Sequence, residues 1–357
     1  MKVPFLLLLR FCLILEVIGQ TTPVVVTTTS GKLQGTDENG VMSFKGVRFG
    51  QPATGPLRWE PPVPFISAAA QNATTLAPSY IQQFAFASSA FPQSLFNNPP
   101  PASENEDCLF LNVWAPSSDI NEKKPVLFWL YRGGFVFGTG SLPGYDGTSL
   151  AANQNIVVVT INHRTNIFGF PGSSDILITK NNFGLLDQEL ALQWVQLNIA
   201  RFGGDPDKVT IIWDNLRAQD QWAEQYSFDD FAKTVGCDQA PGPARLNCLK
   251  HVPAATIRNF TNGPLSGAFG PLVDNVTVFT NPLERIRSGA TAGVPIILGN
   301  MENDGSVFVV GMTNLTALIE ADFPGTGATA DLVRSLYPGH NDTLIIASVP
   351  RDVSFRW

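Results

Sequence analysis

The sequence predicts an α/β fold in which a central, mostly parallel sheet is flanked by helices. Continuous apolar runs at Pro125–Tyr131, Ile156–Asn162 and Val209–Trp213 are typical of parallel strands that are buried on both faces. A segment with apolar residues at helical spacing, Leu185–Phe202, lies between the last two runs. Because parallel strands are joined by crossover helices, this alternation indicates an α/β sheet.

The remaining elements follow from the same patterns of spacing and turn residues. We expect a hairpin at Val24–Thr27 and Gly31–Gly35, strands at Val41–Phe49, Leu109–Trp114 and Val294–Leu298, and helices at Phe228–Val235, Ala244–His251, Asn314–Ala321 and Ala330–Leu336. The segment Gln83–Pro101 is rich in Phe, Ser, Asn and Pro. It is expected to be a long loop, and long loops in compact domains are usually lids or binding loops.

Composition limits the class of protein and of partner. The chain has 357 residues, 44% of them hydrophobic, which is enough for a large core. Its net charge of −7 and pI near 5.0 argue against nucleic acid and anionic membranes as partners. Residues 1–20 carry a positive charge near their start, at Lys2, and then an apolar run that is short for a membrane span. We interpret them as a secretory signal, with a membrane anchor as the alternative, and residues 21–357 as the folded domain.

Acceptor sequons and cysteines also favour an extracellular protein. The sequons begin at Asn72, Asn259, Asn275, Asn314 and Asn341. Cys237 and Cys248 flank a short segment rich in Pro and Gly, which favours a disulfide between them. Cys12 belongs to the expected signal, so Cys108 is left over in the mature chain, either as a buried free thiol or as a cysteine whose partner is lost.

Several longer motifs follow one another along the chain, at Phe44–Pro52, Gly55–Trp59, Glu106–Val113, Gly133–Gly138, Tyr145–Gly147, Asn162–Phe170, Gly184–Gln188 and Trp194–Lys208. In sequence and in order they resemble the motifs of the type-B carboxylesterases, a family that includes cholinesterases and many secreted fungal esterases and lipases. The resemblance implies the α/β-hydrolase fold. It also implies ester hydrolysis by a serine, a histidine and an acid, with an oxyanion hole of backbone N–H groups and without a metal or cofactor. Small carboxylic esters would be the substrates of an intact relative; the oligomeric state is left open.

The resemblance assigns some site residues and exposes a gap at the nucleophile. Gly133 and Gly134 match the donors of the oxyanion hole, and Asp304 matches the acid of the triad. The serine of the family's G-x-S-x-G elbow corresponds to Asn215, and that motif occurs nowhere in the chain. None of the histidines, His163, His251 and His340, precedes a glycine as the family's catalytic histidine does. We interpret all three as surface or packing residues.

Other positions suggest that the family's fold is incomplete here. After Arg217, the residues Trp222–Phe228 resemble family sequence that lies well downstream of the elbow. The elbow helix, the interior strand that follows it and the C-terminal region with the catalytic histidine are therefore expected to be missing. Arg58 and Glu106 match the family's buried ion pair, and Tyr80 stands where the family has the cysteine that pairs with Cys108.

Three hypotheses about function follow from this sequence. The first is a secreted carboxylesterase whose sequence is incomplete and inactive as written. The second is a non-catalytic, cholinesterase-like extracellular binding protein. The third is an enzyme with a different nucleophile, for which the sequence offers no pairing of nucleophile and base.

Overall fold

The computed structural model describes residues 21–84, 90–97, 103–118, 120–213, 228–263, 269–297, 309, 311–322 and 327–354. The strands in these ranges are β1 (Thr22–Thr28), β2 (Gly31–Glu38), β3 (Val41–Arg48), β4 (Gln71–Asn72), β5 (Phe110–Pro116), β6 (Lys124–Trp129), β7 (Val157–Ile161) and β8 (Gly204–Ile212). The helices are α1 (Ala90–Phe96), α2 (Thr148–Gln154), α3 (Asn166–Gly169), α4 (Phe183–Asn198), α5 (Phe228–Thr234), α6 (Pro243–Lys250), α7 (Ala254–Thr261), α8 (Pro282–Arg287), α9 (Leu315–Asp322), α10 (Ala330–Leu336) and α11 (Asp342–Ser354).

The strands form one mixed sheet with the order β1-β2-β3-β5-β7-β6-β8, and β4 pairs with β2. The pairs from β1 to β7 are antiparallel, whereas β6 is parallel to both β7 and β8. The connections β6–α2–β7 and β7–α4–β8 are crossovers of the kind that parallel strands require. The parallel relation predicted from the three apolar runs is therefore confirmed.

Aromatic side chains join the sheet to its helices. The Phe44 ring on β3 meets the Phe202 ring edge-on, with centroids 5.0 Å apart. Trp59 lies 5.1 Å from Phe228 at the start of α5, and its indole N–H donates to the Ile167 carbonyl. These contacts belong to one central hydrophobic cluster, so the segment after residue 227 packs against the same core as the sheet.

A separate hydrophobic cluster lies among α9, α10 and α11. Its buried members include Leu315, Leu318, Ile319, Ile345 and Ile346. The structure thus confirms the helices predicted near 314–321 and 330–336, while α11 was not predicted from the sequence. Helix α1 also interrupts the segment that we expected to be an uninterrupted loop.

The prediction of a strand at Val294–Leu298 was wrong for residues 294–297, the part of this range that the structure describes. Residues 294–297 have no regular structure, and Val294, Ile296 and Ile297 are 63%, 71% and 99% exposed. A short apolar run becomes a buried strand only where a sheet edge receives it, and no strand of the described sheet pairs with this run. The end of β8 also differs from the buried strand we expected, because Lys208 and Thr210–Trp213 are exposed.

Candidate active site

A glycine-rich turn after β6 forms the centre of the candidate site. Gly133 has φ 131° and Gly134 has φ 57°, values that favour glycine. A Cβ on Gly133 would lie 2.1 Å from the Phe137 carbonyl oxygen, so a side chain cannot be placed there. A Cβ on Gly134 would meet open space. The turn is closed by the Gly133 carbonyl, which accepts from the Val136 and Phe137 amides at 3.0 and 3.3 Å.

Backbone strain in this turn lies at Phe135. This residue has φ 65°, which is unusual for a bulky side chain. The Phe135 ring is held by Phe170 at 5.1 Å and Trp213 at 6.3 Å, and its carbonyl accepts from the Asn166 amide. Packing and this hydrogen bond therefore hold Phe135 in its left-handed conformation.

A small cavity lies beside the turn. It is lined by Tyr131, Gly134, Phe135, Phe137, His163, Gln188 and Trp213. Its volume is about 10 Å³, which is about the space of a single water molecule. An ester substrate does not fit this space.

His163 is the histidine in this cavity wall. It is 2% exposed, its ring stacks on Tyr131 with centroids 4.4 Å apart, and its Nε2 lies 3.2 Å from the Gln188 side-chain nitrogen. Its Nδ1 is buried without a hydrogen-bond partner in the described part of the chain. Burial lowers the pKa of His163 from 6.5 to about 3, so the ring is neutral near pH 7. Such a ring lacks the pKa near the working pH that a general base needs.

Sequence reasoning treated His163 as one of three surface or packing histidines and did not place it at the site. The structure shows that it is buried beside the glycine turn, whereas His251 and His340 are exposed. The available signal was its position directly after β7, because loops that follow parallel strands meet at one end of the sheet.

Two assigned site positions lie outside the described residues. Asn215, at the position of the family's serine, follows the last described residue of its segment, Trp213. Asp304, at the position of the acid, also lies outside the described ranges. Trp213 packs against Phe135 of the glycine turn, so β8 carries the chain to the site immediately before residue 215.

Buried ion pairs support the loops around the site. Arg164 donates to both carboxylate oxygens of Asp187, at 2.7 and 2.8 Å, and to the Glu60 carbonyl. Arg58 donates to both oxygens of Glu106, at 2.6 and 2.7 Å. Paired guanidinium forks of this kind fix orientation as well as charge.

The cysteines occupy the places that their sequence context suggested. Cys237 and Cys248 form a disulfide. Cys108 is buried with a free thiol, and burial raises its pKa well above the ordinary value. Tyr80 is also buried, and its hydroxyl has no hydrogen-bond partner in the described residues.

The acceptor asparagines all lie at the surface. Asn72, Asn259, Asn275, Asn314 and Asn341 are exposed.

Within the described ranges there is no cluster of three or more His, Cys, Asp and Glu side chains that could hold a metal ion. No described helix is long and apolar enough to cross a membrane, and the predicted signal at residues 1–20 lies outside these ranges.

The comparisons with known proteins agree with this geometry. The model of the carboxylesterase family matches residues 22–215 and 213–326. The acetylcholinesterase of Electrophorus electricus is 31% identical over 82% of this chain and 53% of its own length. The fumonisin B1 esterase of Sphingopyxis macrogoltabida is 30% identical over 91% of this chain and 64% of its own length. Secreted lipase 1 of Botryotinia fuckeliana is 31% identical over 86% of this chain and 65% of its own length.

A solved structure gives the same result for the fold. A Geobacillus stearothermophilus carboxylesterase superimposes with a TM-score of 0.71 at 28% identity, covering 93% of this chain and 74% of that one. The chain spans about half to two thirds of the length of the curated relatives named above. The glycine turn after β6, the parallel strands that present it and these matches together place the chain in the carboxylesterase family, with its α/β-hydrolase fold.

Proposed function

We propose that this member of the carboxylesterase family does not hydrolyse esters through a serine nucleophile. The observation that carries the proposal is the absence of a G-x-S-x-G motif from the sequence, together with Asn215 at the position of the family's serine. An asparagine amide is not a nucleophile that a neighbouring base can activate.

The division of the family match supports this proposal. The two matched segments meet at Trp213–Asn215, which both of them include. The family's sequence is thus interrupted at the point where the elbow would stand, consistent with a missing elbow helix and interior strand. Trp222–Phe228, which resembles downstream family sequence, leads directly into the buried Phe228 of α5.

The geometry beside the glycine turn gives independent support. The acyl-transfer mechanism of the family needs a hydroxyl nucleophile, a histidine that accepts and returns its proton, and donors for the developing oxyanion. Gly133 and Gly134 supply the last of these. Among the described residues, no serine lines the cavity next to them, and the histidine in its wall has a pKa of about 3. We keep Asp304 as the proposed acid position, although it would have no histidine to orient.

Hydrolysis of p-nitrophenyl acetate and p-nitrophenyl butyrate tests the proposal. We expect the purified chain to release p-nitrophenol no faster than buffer and to remain unlabelled by an organophosphonate serine probe. An active carboxylesterase of the same family serves as the positive control. The Asn215→Ser variant should also be inactive, because the hydroxyl would lack a basic partner. Turnover well above buffer, inhibited by the probe, would contradict the proposal.

We also propose that the protein acts outside the cell. The sequons, the apolar N-terminal segment and the Cys237–Cys248 disulfide support this location, since disulfides persist in oxidising compartments.

A non-catalytic extracellular binding protein is the second candidate function. The observation that favours it is the retention of one central core around the sheet despite the lost nucleophile. Cooperative unfolding and capture of a defined extracellular partner would support it; an aggregated product would count against it.

A further inference from the structure

Strand β8 has one paired edge and one open edge. It pairs with β6, and no strand in the described part of the chain pairs with its other side. The Leu130 amide donates to the Ile212 carbonyl at 3.0 Å, so the backbone groups of Ile212 face the paired side. Since successive residues of a strand point their backbone groups to opposite sides, those of Val209 and Ile211 face the open edge.

The side chains at the end of β8 are also partly exposed on both faces of the sheet. Ile211, Ile212 and Trp213 are 48%, 37% and 41% exposed, and they alternate between the two faces. Strand β7, by contrast, is buried at every position. An open edge with apolar side chains on both faces is a template for pairing with another strand.

The segment Val294–Ile297 has the complementary property. Its residues are apolar, and its three β-branched side chains are 63% to 99% exposed. The run Ser288–Met301 contains no charged residue, so no like charge opposes its approach to Lys208 at the start of the exposed stretch. It is a strand-forming segment without a strand partner in the described residues.

Pro295 determines which edge of this segment can pair. Proline has no N–H, and within sheets it is found where that position faces away from the ladder. If Pro295 faces away, Val294 and Ile296 face the partner with both N–H and C=O. The two backbone groups that β8 presents, at Val209 and Ile211, have the same spacing of two residues. Pro295 would then lie on the new outer edge and oppose the addition of further strands.

We propose that β8 of one copy binds the Val294–Ile297 segment of a second copy as an added strand. Among the described residues of one chain, the β8 edge and the segment are both unpaired, so Val294–Ile297 leaves its own chain's β8 edge open. A second copy supplies the same segment. Reciprocal exchange would cover both edges and close a two-fold symmetric dimer.

The first test measures self-association of the full chain by sedimentation velocity over a range of concentrations. We expect a concentration-dependent dimer. Replacing Ile296 by Asp should raise the dimer dissociation constant by about tenfold or more, because an exposed strand that carries a charge pairs poorly. The control is Ile66→Asp, at an isoleucine that is similarly exposed (77% against 71%). It should leave the constant unchanged. A monomer at all concentrations, or equal weakening by both substitutions, would overturn the proposal.

The second test identifies which segments pair. The Ile211→Cys and Ile296→Cys variants are mixed and oxidised, with Cys108 buried in both. We expect a cross-linked heterodimer that forms only in the mixture. Cross-linking of Ile211→Cys to itself would instead show pairing between two β8 strands. An intramolecular disulfide in a diluted double variant would show that the chain's own segment covers the edge. Either result would overturn the proposal.

Discussion

At the scale of single residues, His163 combines burial with an unsatisfied polar atom. Its ring stacks on Tyr131, and the Gln188 amide lies 3.2 Å from Nε2. If that amide donates, the ring proton is on Nδ1, which has no partner in the described residues. Protonation would add a charge to this enclosed place. The folded protein therefore binds a proton at His163 more weakly than the unfolded chain does.

We expect this difference to appear as acid sensitivity. The folded pKa of about 3 lies below the ordinary value of 6.5, so below pH 6.5 the unfolded state binds more protons. The free energy of unfolding should therefore fall as the pH drops from 6.5 towards 3. His163→Phe, which keeps the stacked ring and cannot titrate, should flatten this dependence. The measurement is urea unfolding followed by tryptophan fluorescence at pH 7, 6, 5 and 4.5.

The matched control for this prediction is His251→Gln, because His251 is exposed. Its pH dependence should follow that of the parent chain. The same slope in His163→Phe as in the parent would show that another group is responsible.

The glycine turn of the candidate site was predictable from local sequence, but the burial of His163 beside it was not. Gly133 and Gly134 are recognisable from a local motif, because the turn needs residues without side chains. The burial of His163 depends on Tyr131 and Gln188, which lie 32 and 25 residues away along the chain. Local sequence carries little information about contacts of this kind.

At the scale of elements, Arg58 connects the turn after residue 57 to the end of α6. Besides its pair with Glu106, its guanidinium donates to the carbonyls of Leu249, Lys250 and Val252 at 3.3, 3.2 and 2.6 Å. Arg58 and Glu106 are 5% and 8% exposed. Arg58 and its ion pair therefore hold together two segments that lie about 190 residues apart along the chain.

Removing one partner of this buried pair should destabilise the fold strongly. Arg58→Met leaves the Glu106 carboxylate buried without its cation, which typically costs about 3–5 kcal/mol. The double variant Arg58→Met/Glu106→Leu should recover part of this loss, because it removes the isolated charge. Denaturant unfolding of the parent, both single variants and the double variant gives the coupling energy. Additive effects would show that the two side chains act independently.

Elements were predicted well where their own pattern determines them. The strands β5, β6 and β7 and the helices α4, α5, α6 and α10 lie within a few residues of their expected bounds. Val294–Leu298 has an equally apolar pattern, and its described residues form no strand. The apolar, β-branched pattern of this segment favours an extended conformation. A strand, however, also needs the edge of another strand to pair with, and the topology of the sheet decides whether such an edge lies next to the segment.

At the scale of the whole molecule, the described hydrophobic residues divide into unequal clusters. The central cluster includes the sheet, α4, α5 and the segments around the disulfide. The cluster among α9, α10 and α11 has its own buried residues and shares none with the central one. Cooperativity depends on shared burial, so the two clusters should open separately.

Hydrogen exchange in two core variants tests this independence. Leu318 is 3% exposed in the α9–α11 cluster, and Val159 is fully buried in the central cluster on β7. Leu318→Ala should cost about 2–5 kcal/mol by leaving a cavity. It should speed amide exchange in α9, α10 and α11 while β5 and β7 keep their protection. Val159→Ala, the matched substitution, should speed exchange in β5 and β7 and leave α9–α11 unchanged. Because each variant serves as the control for the other, equal acceleration of both regions in either one would show a single cooperative unit.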